Sequence, residues 1–207
     1  MAKLASTFFN MFLSLLVVSS LSAGALGFVY SVTRSTIETS KLKEKADSLR
    51  AVLPDFDNDP LSEKIELNVE GERLLVYSAK KAGQDVGLAV ETRTLKGYAG
   101  EIVLLAGLLP DGKIVNVVVL GHKETPGLGA KIDPAQSPFL KQFQGRNFLS
   151  TVPRVRKDGG DVDAITAATV SSRAVCDAIQ KAYAVFKGEE RPDGTTRATP
   201  RRKWGAQ

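Results

Sequence analysis

The sequence predicts an α+β protein: one N-terminal transmembrane helix followed by a mixed or antiparallel sheet with packed helices. Three observations carry that prediction. A charge-free apolar run from Phe8 to Val32 exceeds the roughly 20 residues that cross a bilayer. Beyond it, short β-rich runs recur between turn residues, and the last regular element, Val170 to Phe186, carries its apolar residues at helical spacing.

Residues 1–33 read as the membrane anchor. Ala23-Gly24-Ala25 offers the small residues of a signal-peptide cleavage site, but Leu26, Phe28, Val29 and Tyr30 continue the apolar run past it, which suits an uncleaved span. Only Lys3 precedes the span, whereas Arg34, Lys41, Lys43, Lys45 and Arg50 follow it, so the Lys/Arg count places the larger domain in the cytoplasm. Residues 34–54 form a membrane-proximal helix with apolar positions at Ile37, Leu42, Ala46, Leu49 and Leu53, stopped by Pro54.

A turn-rich stretch, PDFDNDP, opens the folded domain at 55–187. Strands are expected in IELNV from Ile65, RLLVYSA from Arg73 and VGLAVETRT from Val86. The clearest hairpin is EIVLLAGLLPDGKIVNVVVLGH, two apolar runs joined by Pro110-Asp111-Gly112-Lys113, with Val115, Val117 and Val119 on one face and Asn116 and Val118 on the other. SPFLKQFQGR reads as a short helix closing at Gly145, and TVPRVRK as an edge strand with Pro153 near its start. The final helix ends at Gly188, and residues 188–207 read as a disordered basic tail.

Composition excludes several classes. A single cysteine, Cys176, and a single histidine, His122, leave no disulfide framework and no zinc or iron–sulfur site built from Cys and His of this chain. The formal charge of +5 belongs to the chain ends, because the stretch from Ser35 to Phe186 holds twenty basic and twenty acidic residues. No basic groove interleaved with aromatics suggests a nucleic-acid partner.

Two short stretches hold the chemistry. In DAITAATVSSRAV, Asp163 to Val175, a threonine ahead of an amphipathic helix is by itself an N-cap, its hydroxyl accepting from a free backbone N–H. In GHKETPGLGAKI, Gly121 to Ile132, the glycines let backbone approach a ligand, although a tight strand-to-helix connection accounts for them equally. Neither GxxxxGK[ST] nor GxGxxG after a strand is present, so a phosphate loop and a Rossmann nicotinamide site are both absent.

Taken together, the two stretches resemble the FMN-binding domain family of the G subunit of the Rnf electron-transport complex, shared with the C subunit of the sodium-pumping NADH:quinone oxidoreductase. In that family a His-x-Glu-Thr-Pro-Gly-Leu-Gly loop, here His122 to Gly129, precedes an Asp-x-x-Ser/Thr-Gly/Ala-Ala-Thr signature, here Asp163, Thr166, Ala167, Ala168 and Thr169. The resemblance covers essentially the whole chain, including the span. It implies that Thr169 carries FMN through a phosphoester installed by a separate flavin transferase using FAD. His122, Glu124, Thr125, Gly127, Leu128 and Gly129 would line the flavin, beside Asp163, Thr166 and Ala168. Lys131 would meet phosphate or reduced flavin, and Arg154, Arg156 and Lys157 phosphate or a partner, unless each is simply a solvated charge; Cys176 reads as a core residue.

The family further implies an electron-relay subunit of an ion-translocating oxidoreductase, single-pass in the bacterial inner membrane, with lipid and the other subunits as partners. It would not turn over alone. Its domain would lie on the periplasmic side, against the charge count. A membrane-anchored ligand-binding module and a stand-alone flavoprotein reductase are the competing readings. Where the signature most often has glycine this chain has Ala167, which is strained by about 1 kcal/mol if that backbone needs φ above zero.

Overall fold

The computed structural model describes residues 8–69 and 72–188, and the expected basic tail lies, from residue 189 on, outside the described residues. The chain divides into two compact units, residues 1–44 and 45–207. Helix α1 spans Phe8–Val52. Its segment 8–44 constitutes the described part of the first unit, and its apolar stretch is wholly exposed, long and apolar enough to cross a membrane. Two hydroxyls on this segment bond back to the helix: Ser31 Oγ donates to the Phe28 carbonyl at 2.8 Å and Thr33 Oγ1 to that of Val29 at 2.8 Å. In a bilayer such back-bonding removes the cost of an unpaired hydroxyl. The helix is unbroken at residue 33, where the sequence suggested a division between anchor and membrane-proximal helix.

The second unit is built on a five-stranded sheet, β1 (Ile65–Val69), β2 (Glu72–Lys81), β3 (Gln84–Thr94), β4 (Ile102–Leu108) and β5 (Ile114–His122), every neighbouring pair antiparallel and in chain order. The expected mixed or antiparallel sheet is thus a pure meander. The predicted Pro110-Asp111-Gly112-Lys113 turn joins β4 to β5: Leu109 and Gly112 close it by backbone hydrogen bonds at 2.8 Å, with Gly112 at φ 83°.

Helix α2 (Thr169–Lys187) packs on one face of the sheet. Its Ala174, Ala178 and Ala182 are fully buried, so the helix backbone approaches the strands closely, and Val175 and Ile179 complete a core with Leu88, Val90, Leu104 and Ala106. The end of α1, Leu49 and Val52, together with Leu53, packs against Tyr77, Ala89 and Leu105 in a second core. Along β4 these two cores alternate, Leu104, Ala106 and Leu108 in one and Leu105 in the other. A strand covered on both faces reads as a continuous apolar run, as β4 does. Gly107 belongs to the same logic, since a Cβ there would overlap the Val52 carbonyl.

Among the described residues three 3-10 turns complete the unit, at Gly129–Ile132, Phe139–Phe143 and Arg156–Asp158. The second replaces the helix expected from SPFLKQFQGR and ends before Gly145, at φ 73°. The expected strand in TVPRVRK does not form. Its backbone makes one bridge, Val155 with Val162, and then enters the 3-10 turn and reverses at Gly159, φ 80°. Pro153 has no N–H to give a ladder, and beside the start of β5 the neighbouring backbone is that of Gly145–Asn147 instead, with Ile114 donating to Arg146 at 2.8 Å.

Candidate functional site

The signature stretch folds as a tight turn running into α2. Ala168 N–H donates to the Ile165 carbonyl at 3.0 Å, which makes Thr166 and Ala167 the central residues of a β-turn, and Ala167 has φ 62°. A positive φ at the third turn residue is what a type II turn demands and what glycine ordinarily supplies. The alanine here does occupy the left-handed region, at a cost of about 1 kcal/mol.

Neither threonine caps the helix. The N-cap position is Ala168, with no side-chain cap hydrogen bond, and Thr169 is the first helical residue, half-buried beside an exposed Thr166. The N-cap expectation is therefore corrected: a hydroxyl on the first helical residue is past the position from which a side chain turns back onto the free N–H groups, which belongs to the residue before it. What braces the turn is Ser172, fully buried, whose Oγ accepts from Ile165 N–H at 2.9 Å and donates to the Ala168 carbonyl at 3.0 Å.

The glycine loop leaves β5 and makes a second turn of the same kind. Leu128 N–H donates to the Thr125 carbonyl at 3.2 Å around Pro126 and Gly127, with Gly127 at φ 75°. Thr125, Gly127 and Leu128 are exposed, and Leu128 keeps 45% of its surface. His122 Nδ1 accepts from Glu124 N–H at 3.1 Å. Glu124 itself is only 4% exposed, and its carboxylate joins three segments: Oε1 accepts from Ala99 N–H at 3.0 Å and Oε2 from Ser171 Oγ at 2.6 Å, with Gly129 pressed against Oε2.

The structure therefore brings Glu124 and Gly129 to the first turn of α2. Asp163 lies elsewhere on the approach: its carboxylate pairs with Arg156 at 2.7 Å, and its backbone exchanges hydrogen bonds with Gln142 at 2.8 and 3.0 Å. Sequence reasoning missed Ser171, Ser172 and the Gly97–Gly100 loop with its exposed Tyr98. The signal was present in two serines on the apolar side of an amphipathic helix and in a Gly-Tyr-Ala-Gly turn between strands.

A groove of about 390 Å³ opens beside Val170, lined by Pro153, Arg154, Val155, Arg173 and Cys176 among others. Arg173 holds the Asp158 carboxyl below its ordinary pKa by a hydrogen bond and forms an ion pair with it at 2.6 Å. Burial works against ionisation of Asp177, but hydrogen bonds from Lys96 and Thr94, with the charge of Lys181, outweigh it and hold the carboxyl below the usual range. Burial, with Asp161 and Asp158 nearby, pushes the Cys176 thiol up to about 12, the behaviour of an inert core cysteine. Among the described residues no cluster of His, Cys, Asp and Glu could hold a metal.

Residues 97–184 match the family described as the FMN-binding domain. A relative from Vibrio cholerae, named as the G subunit of an ion-translocating oxidoreductase complex, is 36% identical over 180 residues, spanning 82% of this chain and 86% of its own. The protein of that name from Stutzerimonas stutzeri is 39% identical over 178 residues, 82% of this chain and 77% of the relative. One from Acetobacterium woodii, named as the G subunit of a Na(+)-translocating ferredoxin:NAD(+) oxidoreductase complex, is 33% identical over 192 residues, 86% and 91% of the two chains.

Proposed function

The chain belongs to the family of the G subunit of ion-translocating oxidoreductase complexes, and from that membership we propose that it is an electron-relay subunit carrying FMN covalently on Thr169. The observation that carries the proposal is the turn at Ile165–Ala168, which presents Thr169 half-exposed on the first helical residue of a helix that no side chain caps. The free N–H groups there and the positive end of the helix dipole favour a phosphate diester anion. The residues present fit such a group. Gly129 comes close against Glu124 and Ser171, and Leu128 and Tyr98 are exposed apolar side chains on the two loops that Glu124 joins to the first turn of α2.

Attachment is a group transfer with no change of oxidation state. The Thr169 Oγ1–phosphorus bond forms as the FAD pyrophosphate bond breaks, AMP leaves, and the threonine proton passes to the transferase or to water. Once bound, the flavin supplies one- and two-electron transfer. The protein's part is to fix its phosphate end and shape its surroundings. Asp163, Thr166 and Ala168 form the turn and its approach, Thr125, Gly127, Leu128 and Gly129 the facing loop, and His122 and Glu124 hold that loop in place. A fixed carrier without its own substrate site suits a member of a multisubunit complex.

The segment 8–32 would anchor the chain in the inner membrane as a single span, with the domain on the periplasmic side, where the transferase works. Long domains translocate largely independently of local charge, which answers the Lys/Arg count after the span. Protease added to spheroplasts is expected to remove the domain, and a protected domain would reverse the topology. For the attachment itself, intact mass of the chain expressed with its flavin transferase should show one FMN less water, retained as fluorescence after denaturation and lost in Thr169→Ala. No added mass in either protein would sink the covalent reading and return the site to a ligand-binding module, and a gain retained in Thr169→Ala would overturn Thr169 as the attachment residue.

A further inference from the structure

We propose that Glu124 is a positioning residue: its buried carboxylate locks the Gly97–Gly100 loop to the first turn of α2 and so sets where Thr169 stands when it is modified. The inference rests on the reading of Thr169 as the attachment residue.

A carboxylate 4% exposed is costly unless its oxygens are satisfied. Here each oxygen has one donor, and the two donors come from segments far apart in the chain, Ala99 before β4 and Ser171 on α2. The Ser171 bond, at 2.6 Å, has the length of a charge-assisted O–H···O⁻ contact. Both neighbouring glycines are shaped to the same group. A Cβ on Gly97 would stand 2.7 Å from Glu124 Oε1, and one on Gly129 would overlap Oε2 and stand 2.7 Å from Ser171 Oγ. Neither glycine has a left-handed φ; at Gly129 the carboxylate is what excludes a side chain, whereas at Gly97 the Gly100 carbonyl, which a Cβ would overlap, does so together with it.

Ser171 lies two residues beyond Thr169 on the same helical turn, and Ser172 beside it braces the turn that contains Ala167. Glu124 grips the helix start through Ser171 while Ser172 grips it through residues 165 and 168, and both Glu124 oxygens are engaged within the protein. Its effect on a phosphate at Thr169 is therefore indirect, through the placing of the first turn. Loss of such a brace leaves a strained turn free to rearrange.

The test uses the full chain in detergent with purified flavin transferase and FAD, and compares wild type with Glu124→Ala, Glu124→Gln, Ser171→Ala and Thr169→Ala. Flavin incorporation is followed by intact mass, and backbone amide exchange is measured on the unmodified proteins. Glu124→Gln preserves the shape, an oxygen for Ala99 N–H and an N–H for Ser171 Oγ. It should be modified within about threefold of wild type, whereas Glu124→Ala and Ser171→Ala should slow by about tenfold or more, as a misplaced reacting group does. In Glu124→Ala the amides of 97–100 and 169–172 should exchange faster together, by about tenfold, with β4 unchanged.

Wild-type rates in Glu124→Ala would overturn the proposal. So would a Glu124→Gln as slow as Glu124→Ala, which would make charge rather than placement the contribution. If wild type takes up no flavin, the attachment reading fails by itself and exchange decides the clamp: loosening of both segments together retains it, and independent behaviour of the two overturns it.

Discussion

The two ends of α2 meet the same backbone problem in opposite ways. At its C-terminus Gly188 takes φ 71° and donates to the Ala184 and Val185 carbonyls, a left-handed cap without strain. At its N-terminus the left-handed position is Ala167, φ 62°, and no side chain caps the helix. Around the C-terminal half, Tyr183 and Phe148 meet edge to face at 5.8 Å, Phe143 and Phe186 flank them, and the Tyr183 hydroxyl donates to the Gly112 carbonyl at 2.6 Å. Around the N-terminal half lie exposed Tyr98, Leu128 and Val170 and a buried carboxylate. One end is built for stability, whereas the other keeps strain, open apolar surface and free N–H groups where a ligand would use them.

The largest test of that contrast is Tyr183→Ala, which removes a side chain 2% exposed together with its hydrogen bond. It should cost about 3–5 kcal/mol in urea unfolding, while the fraction still folded takes up flavin normally. Next is Ser172→Ala, which strands the buried Ile165 N–H at the start of the turn. About 2 kcal/mol should be lost, and here flavin incorporation should fall as well, because the turn that presents Thr169 loosens.

Exchanging the residues at the two left-handed positions gives opposite signs of similar size. Gly188→Ala should destabilise by about 1 kcal/mol, and Ala167→Gly should stabilise by about 1 kcal/mol while speeding attachment if strain hinders the transferase. A stabilising Gly188→Ala would show that the two ends do not differ as described.

A smaller effect concerns Cys176, on the face of α2 between the two ends. Its pKa is raised in the folded state to about 12 from 9.0, so its contribution is complete below pH 9 and is lost as pH climbs from 9 toward 12. About 1 kcal/mol should disappear by pH 10, and Cys176→Ala should remove that part of the alkaline slope, leaving the part due to Tyr77 and Tyr183, both also raised by burial. Iodoacetamide at pH 8 should leave the folded thiol unmodified; rapid labelling would mean that the helix face opens.

Much of the fold was legible because its signals are local. A charge-free run, the Pro-Asp-Gly-Lys turn, the apolar spacing from Val170 and the terminal Gly188 each depend on residues within one or two turns of chain. The two motif stretches stood out through a family resemblance, and strain at Ala167 was expected only if its backbone needed φ above zero, a condition that the turn meets. The Pro153 segment misled because its alternating apolar residues suit a strand, whereas the sheet edge beside it was already taken by Gly145–Asn147.

What the sequence alone determined is therefore the list of parts: a long apolar helix, a set of strands, a closing helix and a threonine in a recognisable signature. Only the tertiary structure decided that Thr169 begins the helix instead of capping it, that Ala167 takes up the left-handed conformation, and that Ala99, Glu124, Gly129 and Ser171 meet. The reason is physical. Patterning and turn chemistry act between neighbours, but the partner of a buried carboxylate is chosen by packing, which unites residues that no spacing rule connects.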